Sequence, residues 1–437
     1  MIDRSKVFIK NTLLNYIFRI IGILLGFVTI PITLKYLGDE KFGIWQTMLS
    51  IISWASLANF GIGNGLRNKI SEDIAKENLS QLKNNISSAY IVISRISIII
   101  FCIMSIIILF INPKLIFKEA VVSNYEIKIA FIIIIVNFCI NFVLGLCSSI
   151  AYGIHKSFVV TIQQTGISLI TFIAIYTLNK LTNGTIIDIA ITYTIINILF
   201  NILLSIMLFR KNINLKPSLK YDKNLVDKGM YKLGLKFFLL QIGSLILAST
   251  DNFLIASLIS TNDVTYYSIV NKLFMTINTF YSILLIQLWN SSTDAFARND
   301  YKWIIDSIKK LLLLLIPVAL VILFIILGFD FITTVWIGRV LDINKNLLVF
   351  TGIYIFMICL NGIFVNIQNG IGKINTQIIS VCIAAIINIP SAYIFINKFN
   401  MGMSGVVLAN IISQLVIFIF CPINVILNIK KSKKSED

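Results

Sequence analysis

The chain has 437 residues, of which 57% are hydrophobic and only 13% are charged, and its formal net charge is +17. So low a charged fraction excludes an ordinary soluble domain, in which about a quarter of the residues are charged. Crossing a hydrocarbon core takes about 20 apolar residues, and apolar runs of that order recur from end to end. They are continuous, whereas membrane β-barrels show short alternating segments. The sequence therefore predicts an all-α polytopic membrane protein.

Twelve transmembrane helices are predicted in chain order. Their approximate bounds are 11–34, 43–63, 85–111, 126–150, 158–179, 186–209, 237–258, 264–290, 308–328, 346–368, 374–396 and 404–428. Lys and Arg are concentrated in the connections that share a side with both chain ends. Because cytoplasmic loops are enriched in these residues, both termini are expected in the cytoplasm. Basic loops beside anionic headgroups also account for the net charge, so no nucleic-acid partner is indicated.

The longest connection, residues 210–236, divides the predicted spans six and six. The predicted organisation is an N-terminal six-helix bundle over residues 1–210, a basic cytoplasmic linker over 211–236 and a C-terminal six-helix bundle over 237–437. Two interpretations of the linker are open. It forms either an amphipathic helix in the membrane interface or a solvated, positively charged loop.

No motif for bond chemistry is present. The sequence has no GxxxxGK[ST] phosphate loop, no HExxH zinc motif and no CxxC pair, and its six cysteines lie in or beside apolar segments. The single histidine, His155, falls in a turn and is interpreted as a solvated loop residue. No connection is long enough to form a soluble catalytic domain. We therefore predict no metal, no cofactor and no enzymatic activity, and expect the protein to move a substrate.

Four ionisable residues fall well inside predicted spans: Arg19, Arg95, Asp251 and Lys272. Each would cost about 2.5–3.5 kcal/mol at a lipid-facing helix centre, so each is expected to face a polar interior. Arg19 shares a helix face with Asn15, and it either lines a cavity, reaches the interface by snorkelling, or contacts a neighbouring helix. Arg95 lies near the membrane midplane, beyond easy snorkelling, which favours a cavity position.

Asp251 and Lys272 lie at similar depths on the predicted seventh and eighth spans, roughly 10–12 Å below the outer surface. If these spans are antiparallel neighbours, the two side chains form a salt bridge in a water-accessible cavity. Two interpretations are open. The bridge is static and locks the helices, or it opens when a substrate anion takes the lysine or when the aspartate is protonated.

Three cations and one anion within the membrane favour an anionic substrate, such as a phosphate or diphosphate headgroup. The candidate substrate-binding residues are Arg19, Arg95 and Lys272, and Asp251 is the candidate gating or ion-coupling residue. Further polar side chains that would complete a cavity are Asn15, Asn59, Gln241 and Asn271.

Four stretches resemble bacterial polysaccharide-biosynthesis membrane proteins of the O-antigen flippase type, in the multidrug/oligosaccharidyl-lipid/polysaccharide exporter superfamily. They are residues 31–71, which begin PITLKYLGDEKFGIWQ, residues 249–273, which begin STDNFLIASLIS, and residues 369–390 and 402–413. The first two are the most specific. The resemblance implies twelve helices in two six-helix bundles around a central cationic cavity, with alternating access to the two leaflets.

The resemblance also implies a substrate and roles for residues. The substrate is an undecaprenyl-diphosphate-linked oligosaccharide carried from the cytoplasmic to the periplasmic leaflet, with coupling to a proton or sodium gradient. Asp251 and Lys272 fall at recurring charged positions of the family. Arg19 resembles an arginine that related flippases place in their first span, whereas Arg95 has no secure counterpart.

The sequence therefore favours a non-enzymatic flippase of O-antigen or capsule repeat units in the bacterial inner membrane. Its expected partners are the lipid-linked oligosaccharide, membrane lipids and other glycan-assembly membrane proteins. One alternative is a drug/cation antiporter of the same superfamily, which would prefer an acidic cavity. Another is a membrane enzyme of glycan assembly, such as a polymerase, which the missing large outer loop disfavours.

Overall fold

The computed structural model describes most of the residues of the chain. These are residues 4–55, 61–75, 77–113, 117, 122–154, 156–212, 215–218, 238, 249–297, 299–371 and 375–434. Within these ranges the structure is built of helices and contains no strand. The predicted all-α class is confirmed for them.

The helices follow one another with short connections. In the N-terminal part they are α1 (Arg4–Ala55), α2 (Ile62–Ala75), α3 (Leu79–Phe110), α4 (Asn124–Leu144), α5 (Leu146–Gly153), α6 (Ser157–Leu181) and α7 (Ile186–Lys211). In the C-terminal part α8 is described over residues 249–258. It is followed by α9 (Thr261–Ala297), α10 (Tyr301–Leu313), α11 (Leu315–Leu327), α12 (Phe329–Ile337), α13 (Lys345–Ile371), α14 (Asn375–Asn397) and α15 (Met403–Lys434).

Nine helical stretches of the described residues are long and apolar enough to cross a membrane. One of them, Tyr16–Ser53, contains most of the predicted first and second spans. The predicted seventh span lies largely outside the described ranges, and the predicted eighth corresponds to α9, whose apolar run is interrupted by polar residues. The count of twelve and the grouping into two six-helix bundles therefore stay predictions.

The chain divides into two compact units, Met1–Ile242 and Gly243–Asp437. The predicted domain bounds stay a prediction, because residues 219–237, which form most of the linker, lie outside the described ranges. The choice between an interfacial helix and a solvated loop concerns those same residues.

Gly38 interrupts α1 and separates the first two predicted spans. Its backbone has φ 75° and ψ 171°, a conformation that glycine adopts far more readily than other residues. Beside this corner, Tyr36 Oη donates a hydrogen bond to Asp188 Oδ2 at 2.8 Å, and Lys41 Nζ donates to Gly184 O at 2.7 Å. The corner of α1 is thus fastened to the connection between α6 and α7.

Gly184 forms this contact through two closely approaching backbones. A Cβ added at residue 184 would lie 1.7 Å from Tyr36 O, far inside any allowed contact. Only glycine fits there without movement of the backbone. Part of the stretch that carries the family resemblance, PITLKYLGDEKFGIWQ, therefore has a packing role within the first unit.

Small residues let α8, α14 and α15 meet in the second unit. Leu254, Ala392 and Ala409 form a buried cluster between these helices. Small side chains allow the backbones of membrane helices to approach closely, and interhelical hydrogen bonds often accompany such contacts. In the same region Asn410 of α15 contacts Asp251 of α8, and Asn388 of α14 contacts Asn410.

Candidate functional site

Asp251 on α8 is a buried carboxylate, only 5% exposed. Its Oδ2 accepts hydrogen bonds from Tyr267 Oη on α9 and from Asn410 Nδ2 on α15, the latter at 2.7 Å. A buried charge is tolerated only where it is paired or hydrogen-bonded. The two donors on one oxygen therefore stabilise the carboxylate and hold it in one orientation.

Asn410 extends these contacts to α14. Asn388 Nδ2 donates to Asn410 Oδ1 at 2.7 Å and to Ser413 Oγ at 3.2 Å. Ser413 Oγ donates in turn to Ala409 O at 2.9 Å. Asn388, Asn410 and Ser413 are all buried. We call the connected residues the Asp251 network: Asp251, Tyr267, Asn388, Asn410 and Ser413.

Two oxygen atoms of the Asp251 network have no donor in the described part of the chain. They are Asp251 Oδ1 and Asn388 Oδ1, both buried. Leaving such an acceptor unsatisfied costs about 1–3 kcal/mol, and more when the group is charged. In native proteins these atoms are usually satisfied by water, by an ion or by a proton. The network is therefore suited to exchange a proton or to hold a monovalent cation.

The salt bridge predicted between Asp251 and Lys272 is absent, although both side chains belong to the described part of the chain. The reason is the register of α8 against α9. Helix α9 begins at Thr261, three residues before the predicted start of the eighth span at residue 264, so Asp251 faces Tyr267. Lys272 lies five residues further on, which turns it about 140° around the helix and moves it about 7.5 Å along the axis.

Lys272 is half-buried, and its ammonium group meets no carboxylate among the described residues. On the same stretch of α9, the Oδ1 atom of Asn271 is buried and has no donor there. A partly buried cation without a counter-charge favours an anionic ligand, because charge-assisted hydrogen bonds are the strongest that such a group can form. This part of α9 can therefore bind a phosphate-like anion.

Arg19 and Arg95 are both exposed in the first unit, and neither forms a salt bridge with a described residue. Arg95 shares one exposed face of α3 with Ile98, Ile99 and Ile106. Such a face fits a lipid-facing surface as well as a cavity wall. Their roles in substrate binding therefore stay predictions.

The structure does not bring together all the residues that the sequence predicts for the site. The structure does not bring Asp251 to Lys272, and it surrounds Asp251 with the rest of the Asp251 network. Arg19 and Arg95 belong to the first unit and Lys272 to the second, and a common site for them stays a prediction. The side chain of Asn15, together with Asn59, Gln241 and His155, lies outside the described part of the structure.

The sequence predicts Asp251 as a site residue but does not predict the network residues on α14 and α15. A signal was present: Asn410 and Ser413 are three residues apart, and therefore share a helix face, inside an otherwise apolar run. Polar residues within membrane helices usually hydrogen-bond across helices. The sequence does not show which helix supplies the partner, so the link to Asp251 could not be derived from spacing.

A second chain of amides crosses the first unit. Gln163 Nε2 on α6 donates to Asn201 Oδ1 on α7 at 2.9 Å, and Asn201 Nδ2 donates to Asn141 Oδ1 on α4 at 2.8 Å. Asn141 Nδ2 then donates to Asn137 Oδ1 at 2.5 Å. This chain contains no ionisable group, so its chemistry is that of interhelical contacts. The described residues also contain no group of three or more His, Cys, Asp or Glu side chains able to hold a metal ion.

Comparison with known proteins finds a matching family model. A family model described as polysaccharide biosynthesis protein matches residues 8–287, a range that includes Asp251 and Lys272. A curated relative from Yersinia pseudotuberculosis, described as an O-antigen export protein, is 26% identical over 312 residues, or 65% of each chain. The chain therefore spans just under two thirds of the length of that relative.

Two solved structures share the fold. An inward-facing MATE family multidrug resistance transporter of the MOP superfamily has a TM-score of 0.78 at 14% identity, covering 94% of this chain and 96% of its own. The lipid II flippase MurJ, in an inward closed conformation, has a TM-score of 0.72 at 15% identity, covering 96% and 90%. The family match confirms the resemblance to polysaccharide-biosynthesis membrane proteins, and these two structures confirm the fold.

Proposed function

This chain belongs to the polysaccharide biosynthesis protein family, and we propose that it is a flippase for a lipid-linked oligosaccharide. It moves an undecaprenyl-diphosphate-linked O-antigen or capsule repeat unit from the cytoplasmic to the periplasmic leaflet of a bacterial inner membrane. Movement is by alternating access driven by a proton or sodium gradient, with both termini cytoplasmic. The names of the O-antigen export relative and of the lipid II flippase support this class of activity over enzymatic chemistry.

The main support for this proposal is the environment of Lys272. A half-buried ammonium group with no carboxylate partner among the described residues is a suitable ligand for a diphosphate. Arg19 and Arg95 are exposed cations that bind the remaining anionic oxygens in this proposal. Asn271, next to Lys272 in the chain, supplies its Nδ2 amide as a donor in this proposal, since its Oδ1 atom is an acceptor.

We propose Asp251 as the ion-coupling residue. A proton or sodium ion at the open Oδ1 atom neutralises the carboxylate and weakens its hold on Tyr267 and Asn410. Ion binding thereby changes the contacts that fasten α8 to α9 and α15, as coupling to a conformational change requires. Gating of Lys272 through a direct salt bridge is not part of this proposal, because the two side chains do not meet.

Replacing Lys272 tests the anion site. In a strain that depends on this protein, Lys272→Ala is expected to lower surface glycan at least about tenfold, which corresponds to losing about 1.4 kcal/mol of anion binding. Lys272→Arg should retain part of the activity because it keeps the charge. Surface glycan and the amount of protein in the membrane are measured together.

The matched control is Lys398→Ala, which removes an exposed lysine of the same unit. It should leave glycan display unchanged. Normal glycan display by Lys272→Ala, at wild-type protein levels, would remove the basis for an anion site on α9.

A drug/cation antiporter is the second candidate, and the fold likeness to the MATE transporter favours it. The three proposed binding cations disfavour it, because they would repel a cationic drug. Overexpression is expected to leave the growth-inhibiting concentration of ethidium unchanged in cells lacking other exporters. A severalfold rise that Asp251→Asn abolishes would select the antiporter.

A further inference from the structure

A cavity of about 80 Å³ lies at one end of the first unit, between the turn that joins α5 to α6 and the end of α7. Most of its wall is apolar and includes Phe158, Val159 and Met207. Two residues make it amphipathic: Lys156, which is half-buried, and Asn212, which is exposed. Lys156 pairs with no carboxylate among the described residues. The cavity therefore offers a cation and an amide beside an apolar surface.

An exposed apolar stripe on α7 leads to this cavity. Leu199, Leu203 and Met207 are exposed and lie on one face of the helix, since they are spaced four residues apart, and Met207 is itself part of the cavity wall. The stripe ends at Arg210, which is exposed on the same face. In a transmembrane helix, a change from apolar to basic residues marks the level of the lipid headgroups. Lys156 thus lies close to where lipid phosphates are found.

We propose that this cavity binds the headgroup phosphate of an anionic phospholipid whose acyl chains run along the exposed stripe of α7. Lys156 supplies the positive charge and Asn212 an amide donor, while Phe158 and Met207 contact the first carbons of the lipid. A lipid-linked diphosphate has similar chemistry. The cavity suits a single phosphate better than a diphosphate with sugars attached, which favours a resident phospholipid. This inference uses only the location in a membrane and is independent of the proposed transport.

Native mass spectrometry of the purified full-length protein tests this site. The protein in detergent is titrated with phosphatidylglycerol, and with phosphatidylcholine for comparison, and the bound lipids are counted. Lys156→Gln should weaken phosphatidylglycerol binding roughly fivefold, as expected for removing one cation near an anionic headgroup. Met207→Trp should have a comparable effect, because it fills the cavity without changing its charge.

Two matched controls separate the cavity from general effects. Lys180→Gln removes a lysine from the other end of α6, and Met207→Leu keeps the size of the wall residue. Both should bind phosphatidylglycerol as the wild type does. Thermal unfolding without added lipid shows whether each variant is folded, and a variant that is not folded is replaced by Lys156→Met or Met207→Phe.

Three results would overturn the proposal. Equal phosphatidylglycerol binding by the wild type and by folded Lys156→Gln would exclude the lysine as a headgroup ligand. Equal binding of phosphatidylcholine and phosphatidylglycerol would exclude recognition of an anionic headgroup. Displacement of phosphatidylglycerol by stoichiometric undecaprenyl phosphate would assign the cavity to the transported lipid. Failure of transport variants at Lys272 leaves the lipid measurement unaffected, so the two proposals fail independently.

Discussion

The two carboxylate oxygens of Asp251 have different surroundings. Oδ2 accepts from Tyr267 and Asn410, whereas Oδ1 has no donor in the described part of the structure. A carboxylate with a purely structural role would be expected to use both oxygens, because an unsatisfied buried acceptor is costly. At the scale of this residue, the charge of Asp251 is therefore expected to matter more than its shape.

Asp251→Asn tests that expectation, because asparagine keeps the shape and an acceptor oxygen but loses the charge. We expect the variant to reach the membrane at wild-type levels while surface glycan falls at least about tenfold, equivalent to about 1.4 kcal/mol. Quantitative immunoblotting of membranes and glycan staining of cells give the two values.

The control for this charge removal is Asp263→Asn in the same unit. Among the described residues, Asp263 hydrogen-bonds to Ser260 at the start of α9, so its replacement should cost a few tenths to about 1 kcal/mol of stability and leave transport intact. Full glycan display by Asp251→Asn would show that Asp251 serves packing alone.

The sequence predicts the burial of a single residue better than its contact partners. Asp251 is buried, as the sequence predicts, because the cost of a lipid-exposed charge can be judged without knowing the fold, and its role stays a prediction. Its pairing with Lys272 was predicted wrongly, because a three-residue difference in where α9 begins changes the facing residue to Tyr267. Hydropathy locates helix ends only to within a few residues, so it cannot supply that register.

At the scale of helices, close backbone contacts decide which positions accept only glycine. The corner of α1 at Gly38 is predicted by the gap between two apolar runs, and the structure places a positive-φ glycine there. This corner contacts a residue that is distant in sequence. Lys41 and Gly184, which share a hydrogen bond, are 143 residues apart. Only the packing of α1 beside α6 brings these segments together.

Gly184→Ala should destabilise the first unit. The added Cβ would meet Tyr36 O at 1.7 Å, so the α6–α7 connection must move away from the α1 corner, at a cost of about 1–3 kcal/mol. Thermal unfolding in detergent should show a lower midpoint for this variant.

Gly22→Ala is the matched comparison, because its added Cβ would lie 3.4 Å from Thr165 Oγ1, close to ordinary contact distance. Alanine also favours a helix by about 1 kcal/mol over glycine, so the midpoint should stay the same or rise. A Gly184→Ala protein as stable as Gly22→Ala would show that the α1 corner is not fastened to the α6–α7 connection.

At the scale of the whole molecule, the basic residues of the loops predict which parts of the chain stay in the cytoplasm. The connection between α5 and α6 and the end of the chain are expected inside, and the connection between α6 and α7 is expected outside. The nine candidate spans found among the described residues leave this orientation open, since a helix of given length and composition can cross in either direction.

Reporter fusions measure the orientation. Alkaline phosphatase joined after residue 183 should be active, because that connection is predicted to be periplasmic. The same enzyme joined after residue 155 should be inactive, and a fluorescent protein after residue 437 should fluoresce. Active phosphatase after residue 155 would reverse the assigned sidedness and with it the assigned direction of transport.

The sequence by itself determined the membrane location, the helical class, the approximate places of the helices and the family. These follow from composition, from the length of apolar runs and from short local stretches, each of which is a property of neighbouring residues. Only the tertiary structure decided that Asp251 meets Tyr267 and Asn410 and not Lys272. It also decided that Gly184 lies against the α1 corner. Such contacts depend on helix register and rotation, and one residue changes the facing side chain by about 100°.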